Sequence, residues 1–441
     1  MRFPAQQLIA FRRDPLNYLE KLAQFGDIAS FPGLGGRAVF VISHPDLVKD
    51  VLVTRADDFR KGRALRHANS LLGNGLLTSE GAEHRRQRRI IQPSLHPSRL
   101  AAYGDAIVRL ARNLGESWSD ASRIDVHNEM MRLTLAIVAA TLLGSEVQSD
   151  VSRIGADVEM AIGMFDRSLL PWGNLLDKLP LPSNYRFRAA RARLFGTIDR
   201  IIAERHARRG DSADLLSVLL DARDEGDEGQ GGDGTGLSDE LVRDQAITIF
   251  LAGHETTANA LTFAWYCLAR HPDVAEKFTR ELEAVLGDRR PTAEDLPKLV
   301  YTRAVLAETM RLYPPAWTLG REAKVEVNVG GFRVPAECLV LSPQWLIQRD
   351  ARWWPEPLKF DPQRWLAEAR LSSRPKYAYF PFGGGTRACI GEAFAWMEGI
   401  LVLAALGQTC RLELEAGYRL KLHATITLRP RGGMGMVVRK V

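Results

Sequence analysis

The sequence predicts a mainly α-helical fold with small β-sheets, and three observations predict it. Over most of residues 80–320, apolar side chains recur at mixed three- and four-residue spacing, the period of helices that bury one face. Ser238 stands as a helix N-cap before an apolar-rich run, which predicts one long helix from about 239 to 270. Strand-like pieces are short and lie towards the two ends of the chain.

In chain order, DPLNYLEKLAQFG (14–26) reads as a helix, RAVFVIS (37–43) as a strand and HPDLVKDVLV (44–53) as a second helix. The acidic, glycine-rich stretch DEGDEGQGGDGTG (224–236) reads as a mobile surface loop between two helices. Beyond residue 320, VEVNVGGFRVP (325–335) and CLVLSP (338–343) read as strands among Pro-rich irregular segments, and ATITLRPRGGMGMVVRK (424–440) as a hairpin. No internal repeat divides the chain, so residues 1–441 are expected to form a single domain.

Composition narrows the function classes. A chain of 441 residues that is 46% hydrophobic can bury a large core. Cys267, Cys338, Cys389 and Cys410 show neither CxxC spacing nor clustering with histidine, which argues against a zinc site or a disulfide framework and for a reducing compartment. The N-terminus has no apolar run approaching ~20 residues and no signal-peptide core, so a cytoplasmic protein without a transmembrane anchor is expected. The net charge of +6 is mild, and its basic runs, EHRRQRR (83–89) and 186–209, lack interleaved aromatics. No nucleic-acid partner is expected.

Three motifs carry chemistry. In FGGGTRACIG (382–391) a glycine turn feeds the helix-patterned run EAFAWMEGILVLAAL, so Cys389 stands at a helix N-terminus, where unpaired N–H groups favour a thiolate. Such a thiolate is a nucleophile or a metal ligand. In LAGHETTANALTF (251–263), Gly253, Glu255, Thr256, Thr257 and Asn259 interrupt an apolar helix. Mid-helix threonines bend a helix by bonding back to carbonyls, and a glycine lets another group approach, which together predict a ligand groove. In ETMR (308–311), Glu308 and Arg311 share a helix face that is largely apolar; FDPQRW (360–365) offers Arg364 as a further partner.

These stretches together resemble the cytochrome P450 family: FGGGTRACIG its haem-binding signature, AGHETT its oxygen-activating helix, ETMR its ExxR motif and PEPLKFDPQRW its arginine-bearing meander, in family order. The resemblance implies the cytochrome P450 fold, with haem between the long distal helix and the cysteine loop. It implies noncovalent haem b, since Ala252 stands where relatives with ester-linked haem carry glutamate, with Cys389 as the iron ligand. Phe382 and Gly391 would flank the sulfur, and the loop glycines would let the backbone pass close to the porphyrin. His84, Arg88, Arg321 and Arg387 would meet the haem propionates, and Arg85, Arg86 and Arg89 would face outward towards an electron donor. Ala252 and Gly253 would leave room for O2, with Glu255 and Thr256 as the proton-relaying catalytic pair. Glu308, Arg311 and Arg364 would form a structural triad.

By family position, Leu72 and Leu76 in 69–79, Met164 and Phe165, Phe250, Ala252, Thr256, Trp317, Ile426 and Thr427 would wall the substrate pocket. The expected activity is insertion of one oxygen atom of O2 into a C–H or C=C bond of a lipophilic terpenoid, fatty acid or carotenoid. The chain ends 52 residues after Cys389, so electrons are expected from a separate ferredoxin or flavodoxin with its NAD(P)H reductase. A monomer is expected. The competing reading is a haem-thiolate sensor that binds but does not turn over.

Overall fold

A computed structural model describes the chain apart from residues 1–3, 34–35, 68, 145–153, 158–159, 161–178, 208–213, 228–229 and 367–372. The helices that build the site are α1 (Gly81–Ile91), α2 (Gly104–Ser117), α3 (Val126–Leu142), α4 (Pro182–Ala207), α5 (Asp239–Arg270), α6 (Val300–Leu312) and α7 (Glu392–Gly407). Helix α5 starts where the sequence places it. The Ser238 hydroxyl accepts the Leu241 N–H at 3.3 Å, and Asp239 and Glu240 face the positive end of the helix dipole.

Helix α5 runs through the middle of the molecule, packed against α3, α6 and α7. It buries Val242, Ala246, Phe250, Ala258, Leu261, Phe263 and Ala264. Helix α7 has no polar face over Ile400–Leu406, all of it buried, as expected of a helix covered on every side. The core forms here because these two apolar helices have nowhere else to put their surface.

Short strands frame the helices: β1 (Ile28–Pro32), β2 (Ala38–Ile42), β3 (Phe59–Lys61), β4 (Arg123–Asp125), β5 (Leu319–Ala323), β6 (Leu339–Ser342), β7 (Cys410–Leu414), β8 (Leu422–Ala424), β9 (Leu428–Pro430) and β10 (Gly435–Lys440). One sheet has the order β1-β2-β6-β5-β3, parallel only between β2 and β6. Through β3 and β5 it delivers Lys61 and Arg321 as Cα partners in one register.

Three expectations are corrected. Strands within 424–440 do not pair with each other: β9 pairs with β8, whereas β10 pairs with β7 and β4. Gly432 and Gly433, both at positive φ (82° and 81°), turn the chain from one sheet into the other. The acidic segment 224–236 is anchored rather than free. Gly226–Asp227 pairs with Gln230–Gly231, and the buried Asp224 carboxylate receives two hydrogen bonds from Arg89, at 2.6 and 2.7 Å. Arg86 donates to Thr235 at 2.6 Å. A bidentate guanidinium–carboxylate pair supplies two charge-assisted hydrogen bonds that offset the burial of Asp224. Arg86 and Arg89 are therefore occupied inside the chain, and of the three arginines expected to face outward only Arg85 is exposed.

Candidate functional site

A cavity of about 370 Å³ lies between α5 and the cysteine loop. Ala252, Gly253, Thr256 and Thr257 line it from α5, and Phe382, Arg387, Cys389 and Gly391 from the loop. Arg321 and Arg387 are the only charged residues among the described lining.

The loop is shaped by its glycines. A Cβ at Gly385 (φ 68°) would collide with the Leu52 carbonyl, and one at Gly384 would meet the Tyr377 ring at 2.5 Å. These glycines fit the loop against its own protein neighbours, a role that the resemblance did not suggest. Cys389 N–H donates to the Phe382 carbonyl at 2.8 Å, closing the turn. The Cys389 surface opens onto the cavity.

Burial acts against the thiolate that the helix terminus favours. Burial pushes the Cys389 pKa up, against the Gly391 N–H and Arg88, which favour the thiolate. Gly391 is the N-cap of α7, so Cys389 sits two residues before it, outside the first turn where the dipole acts most strongly. Desolvation wins.

On one side of the cavity cations converge. Burial, with Arg387 and Arg321 nearby, pulls Lys61 down to about 7. Buried His84 falls to about 3, by desolvation first and then by Lys61, Arg387, Arg88 and Arg321. Arg321 falls to about 10, by burial and then by Arg387, and its only hydrogen bond among the described residues is to its neighbour Gly320. Arg88 donates to the Ala388 carbonyl at 2.6 Å, beside Cys389. Arg387 pairs with Glu80, yet its Nη1 is buried without a partner. One carboxylate cannot balance this cluster, and each cation destabilises the next. Lys61 and Glu80, which carry no motif, were not foreseen from the sequence; β3 and the start of α1 bring them in.

The residues fit haem. A sulfur faces a largely apolar slot, a small-residue stretch of α5 stands opposite, and an under-neutralised cation cluster with an orphaned guanidinium nitrogen suits the carboxylates at one edge of the group.

On α5 the acid and the alcohol part company. Thr256 lines the cavity and donates to the Ala252 carbonyl at 2.7 Å. Glu255 is buried and turned away from it: its Oε1 accepts the Thr427 hydroxyl at 2.6 Å and lies 3.6 Å from Arg429 Nη1. Thr427 also accepts from Asn259, whose amide oxygen meets His127 at 3.1 Å. Thr427 thus holds the glutamate and does not wall the cavity.

Of the other expected wall residues, Leu76 and Ala252 line the cavity. Leu72, Phe250 and Trp317 are buried elsewhere, Trp317 donating to the Thr425 carbonyl at 2.9 Å; Ile426 is not in the lining either. Met164 and Phe165 lie outside the described residues. Unforeseen walls come from α3 (Val138, Thr141, Leu142) and from Leu95 and Tyr103. No local pattern marks them, because their role exists only once α3 packs on α5.

The triad residues meet against the meander. Glu308 accepts Arg311 Nε and Nη2 (both 2.8 Å), Arg364 Nε (2.9 Å), the Trp365 indole (2.9 Å) and the Asp361 N–H (3.0 Å). Arg311 also donates to the carbonyls of Gln348, Pro357 and Lys359, pinning the meander. Nearby on α7, Glu398 is fully buried. Thr257 approaches it, but neither carboxylate oxygen has a well-formed hydrogen bond, and burial raises its pKa to about 8.

Comparison with known proteins agrees with this geometry. A family model described as Cytochrome P450 matches residues 3–434. The chain is 38% identical to cyclooctatin synthase of Streptomyces melanosporofaciens over 427 residues, 96% of this chain and 91% of that protein. It is 37% identical to cyclooctat-9-en-7-ol 5-monooxygenase of the same organism, over 92% of this chain and 86% of the relative. The crystal structure of the cytochrome P450DA heme domain superposes with a TM-score of 0.86 at 26% identity, covering 97% of this chain and 93% of that one. With a cysteine open to a largely apolar cavity and a family match along almost its whole length, the chain belongs to the cytochrome P450 family, monooxygenases that use haem b held by a cysteine thiolate.

Proposed function

We propose that this chain hydroxylates or epoxidises a lipophilic, cyclic terpenoid, with electrons from a separate ferredoxin- or flavodoxin-type donor. The observation that carries the reading is the cavity itself: away from Arg321 and Arg387 its described walls bear no charge, so they offer a substrate shape and apolar contact. One relative, named as a monooxygenase of a cyclic alkenol, points the same way.

Cys389 is assigned as the haem sulfur ligand, and Arg321, Arg387, Lys61 and His84 as the setting for the haem carboxylates. Bound haem supplies the oxygen-activating chemistry. The protein supplies orientation and protons. Apolar walls exclude water from the substrate face. Thr256 Oγ1 is the last proton donor on the cavity side. Glu255 Oε1 accepts the Thr427 hydroxyl and faces Arg429, so a part for it in proton delivery requires its side chain to leave those partners.

The test uses haem-loaded protein, a ferredoxin donor system and a panel of cyclic terpenes, terpene alcohols and fatty acids. A spectral shift and an oxygenated product from the terpenoid members are expected. Binding with no product under any donor would favour the sensor reading. Cys389→Ser should abolish the red-shifted absorption of the reduced CO complex, because an alcohol is a poor soft donor to iron; an unmoved band would remove Cys389 from the ligand position.

A further inference from the structure

The stretch Gly73–Glu80 crosses the cavity as a strap, placing Leu76 and Leu77 in its wall. Its own turn bonds, Thr78 and Ser79 N–H to the Gly75 carbonyl at 3.0 and 2.9 Å, leave the Asn74 and Leu76 N–H groups to be satisfied from outside. They are met by two adjacent side chains of α5. Asp244 Oδ2 accepts the Asn74 N–H at 2.7 Å, and Gln245 Oε1 accepts the Leu76 N–H at 2.9 Å. Gln245 Nε2 then donates to Gln87 Oε1 at 2.9 Å, and Gln87 Nε2 returns to the Asn74 carbonyl at 3.0 Å. Asp244, Gln245 and Gln87 are all buried.

Two glycines make the approach possible. A Cβ at Gly73, which sits at a φ of 72°, would run into the Asp244 carboxylate; one at Gly75 would meet Thr248 Oγ1 and, at 2.8 Å, the Asp244 carbonyl. From the other side, Lys61 Nζ donates to the carbonyls of Leu76 (2.8 Å) and Ser79 (2.6 Å). The strap is thus gripped by α5 at one end and, at the other, by a member of the cation cluster.

We infer that Asp244 and Gln245 are positioning residues for ligand selection: by fixing the backbone at Asn74 and Leu76 they set how far the two leucines project, and hence the size of ligand that the cavity accepts. Gln245 lines the cavity as well as bonding the amide of Leu76, so Gln245→Met frees Leu76 while exchanging one lining side chain for another of similar length, whereas Gly73→Ala acts on the strap from outside the lining. The inference rests on the haem-thiolate reading only in its choice of probe.

The experiment compares wild type, Gln245→Met and Gly73→Ala, all haem-loaded. Amide hydrogen exchange at Asn74 and Leu76 is followed together with the affinities of imidazole and of a biphenyl-substituted imidazole. Exchange should rise on the order of tenfold or more at Leu76 in Gln245→Met and at Asn74 in Gly73→Ala, roughly what loss of one such hydrogen bond allows. The affinity ratio of bulky to small azole should change at least threefold while imidazole itself binds as in wild type. Gly73→Ala lies outside the helices and gives the reading from the strap side if Gln245→Met does not accumulate. Unchanged exchange, or faster exchange with an unchanged ratio, overturns the inference. Failure of wild type to bind either azole at the haem would instead strike the haem-thiolate reading, which the exchange data do not depend on.

Discussion

Replacing Glu398 by glutamine should make the protein more stable, and increasingly so as the pH rises. Glu398 lies fully buried on α7 with no well-formed hydrogen bond to either oxygen, and burial lifts its pKa from the ordinary 4.5 to about 8. A raised carboxyl pKa means that the folded state keeps a proton which the unfolded chain has released. Between pH 4.5 and 8 the folded state therefore binds more protons, and stability falls as pH rises through that window, with nothing lost below it and the full cost present above it. At ~1.4 kcal/mol per pH unit the full cost is about 5 kcal/mol. About 3 kcal/mol of it accrues between roughly pH 5.5 and pH 8. Glutamine has nearly the same shape and does not titrate. The assay is urea unfolding of both haem-loaded proteins, followed by far-ultraviolet circular dichroism across that range. Any pH-independent effect of the amide shifts the variant's curve uniformly, and the titrations of Lys61 and His84 cancel in the difference. Parallel curves for the two proteins would show that Glu398 is ionised in the fold and that the burial argument fails.

Two further outcomes follow from the same geometry. Glu308→Ala removes the acceptor of two buried guanidinium groups and should cost about 3–5 kcal/mol, with little haem-loaded protein recovered; normal haem content and melting temperature would contradict the triad. Thr256→Ala should still bind substrate and accept electrons, but the ratio of product formed to reduced nicotinamide consumed should fall several-fold as peroxide accumulates. An unchanged ratio would make Thr256 a helix-packing residue.

Glu308, Arg311 and Arg364 were legible because they sit in motifs whose spacing already puts two of them on one helix face. Helix α5 was legible to the residue, since its cap and its apolar run are both local. Lys61 and Glu80 were not legible. Neither has a local signal, and their part in the cation cluster depends on β3 lying beside β5 and on α1 beginning next to both.

The sequence by itself determined the helical class, the family and the position of Cys389, because these depend on residue types at short, fixed separations. Only the tertiary structure decided which way a side chain on those elements faces. It turned Glu255 towards Thr427 and Arg429, drew Arg86 and Arg89 into the acidic segment, and brought Val138 and Thr141 to the cavity while keeping Phe250 and Trp317 away from it. Each of these contacts joins residues far apart in the chain. Local propensity carries no information about them; they arise when buried charges and apolar faces find partners during packing.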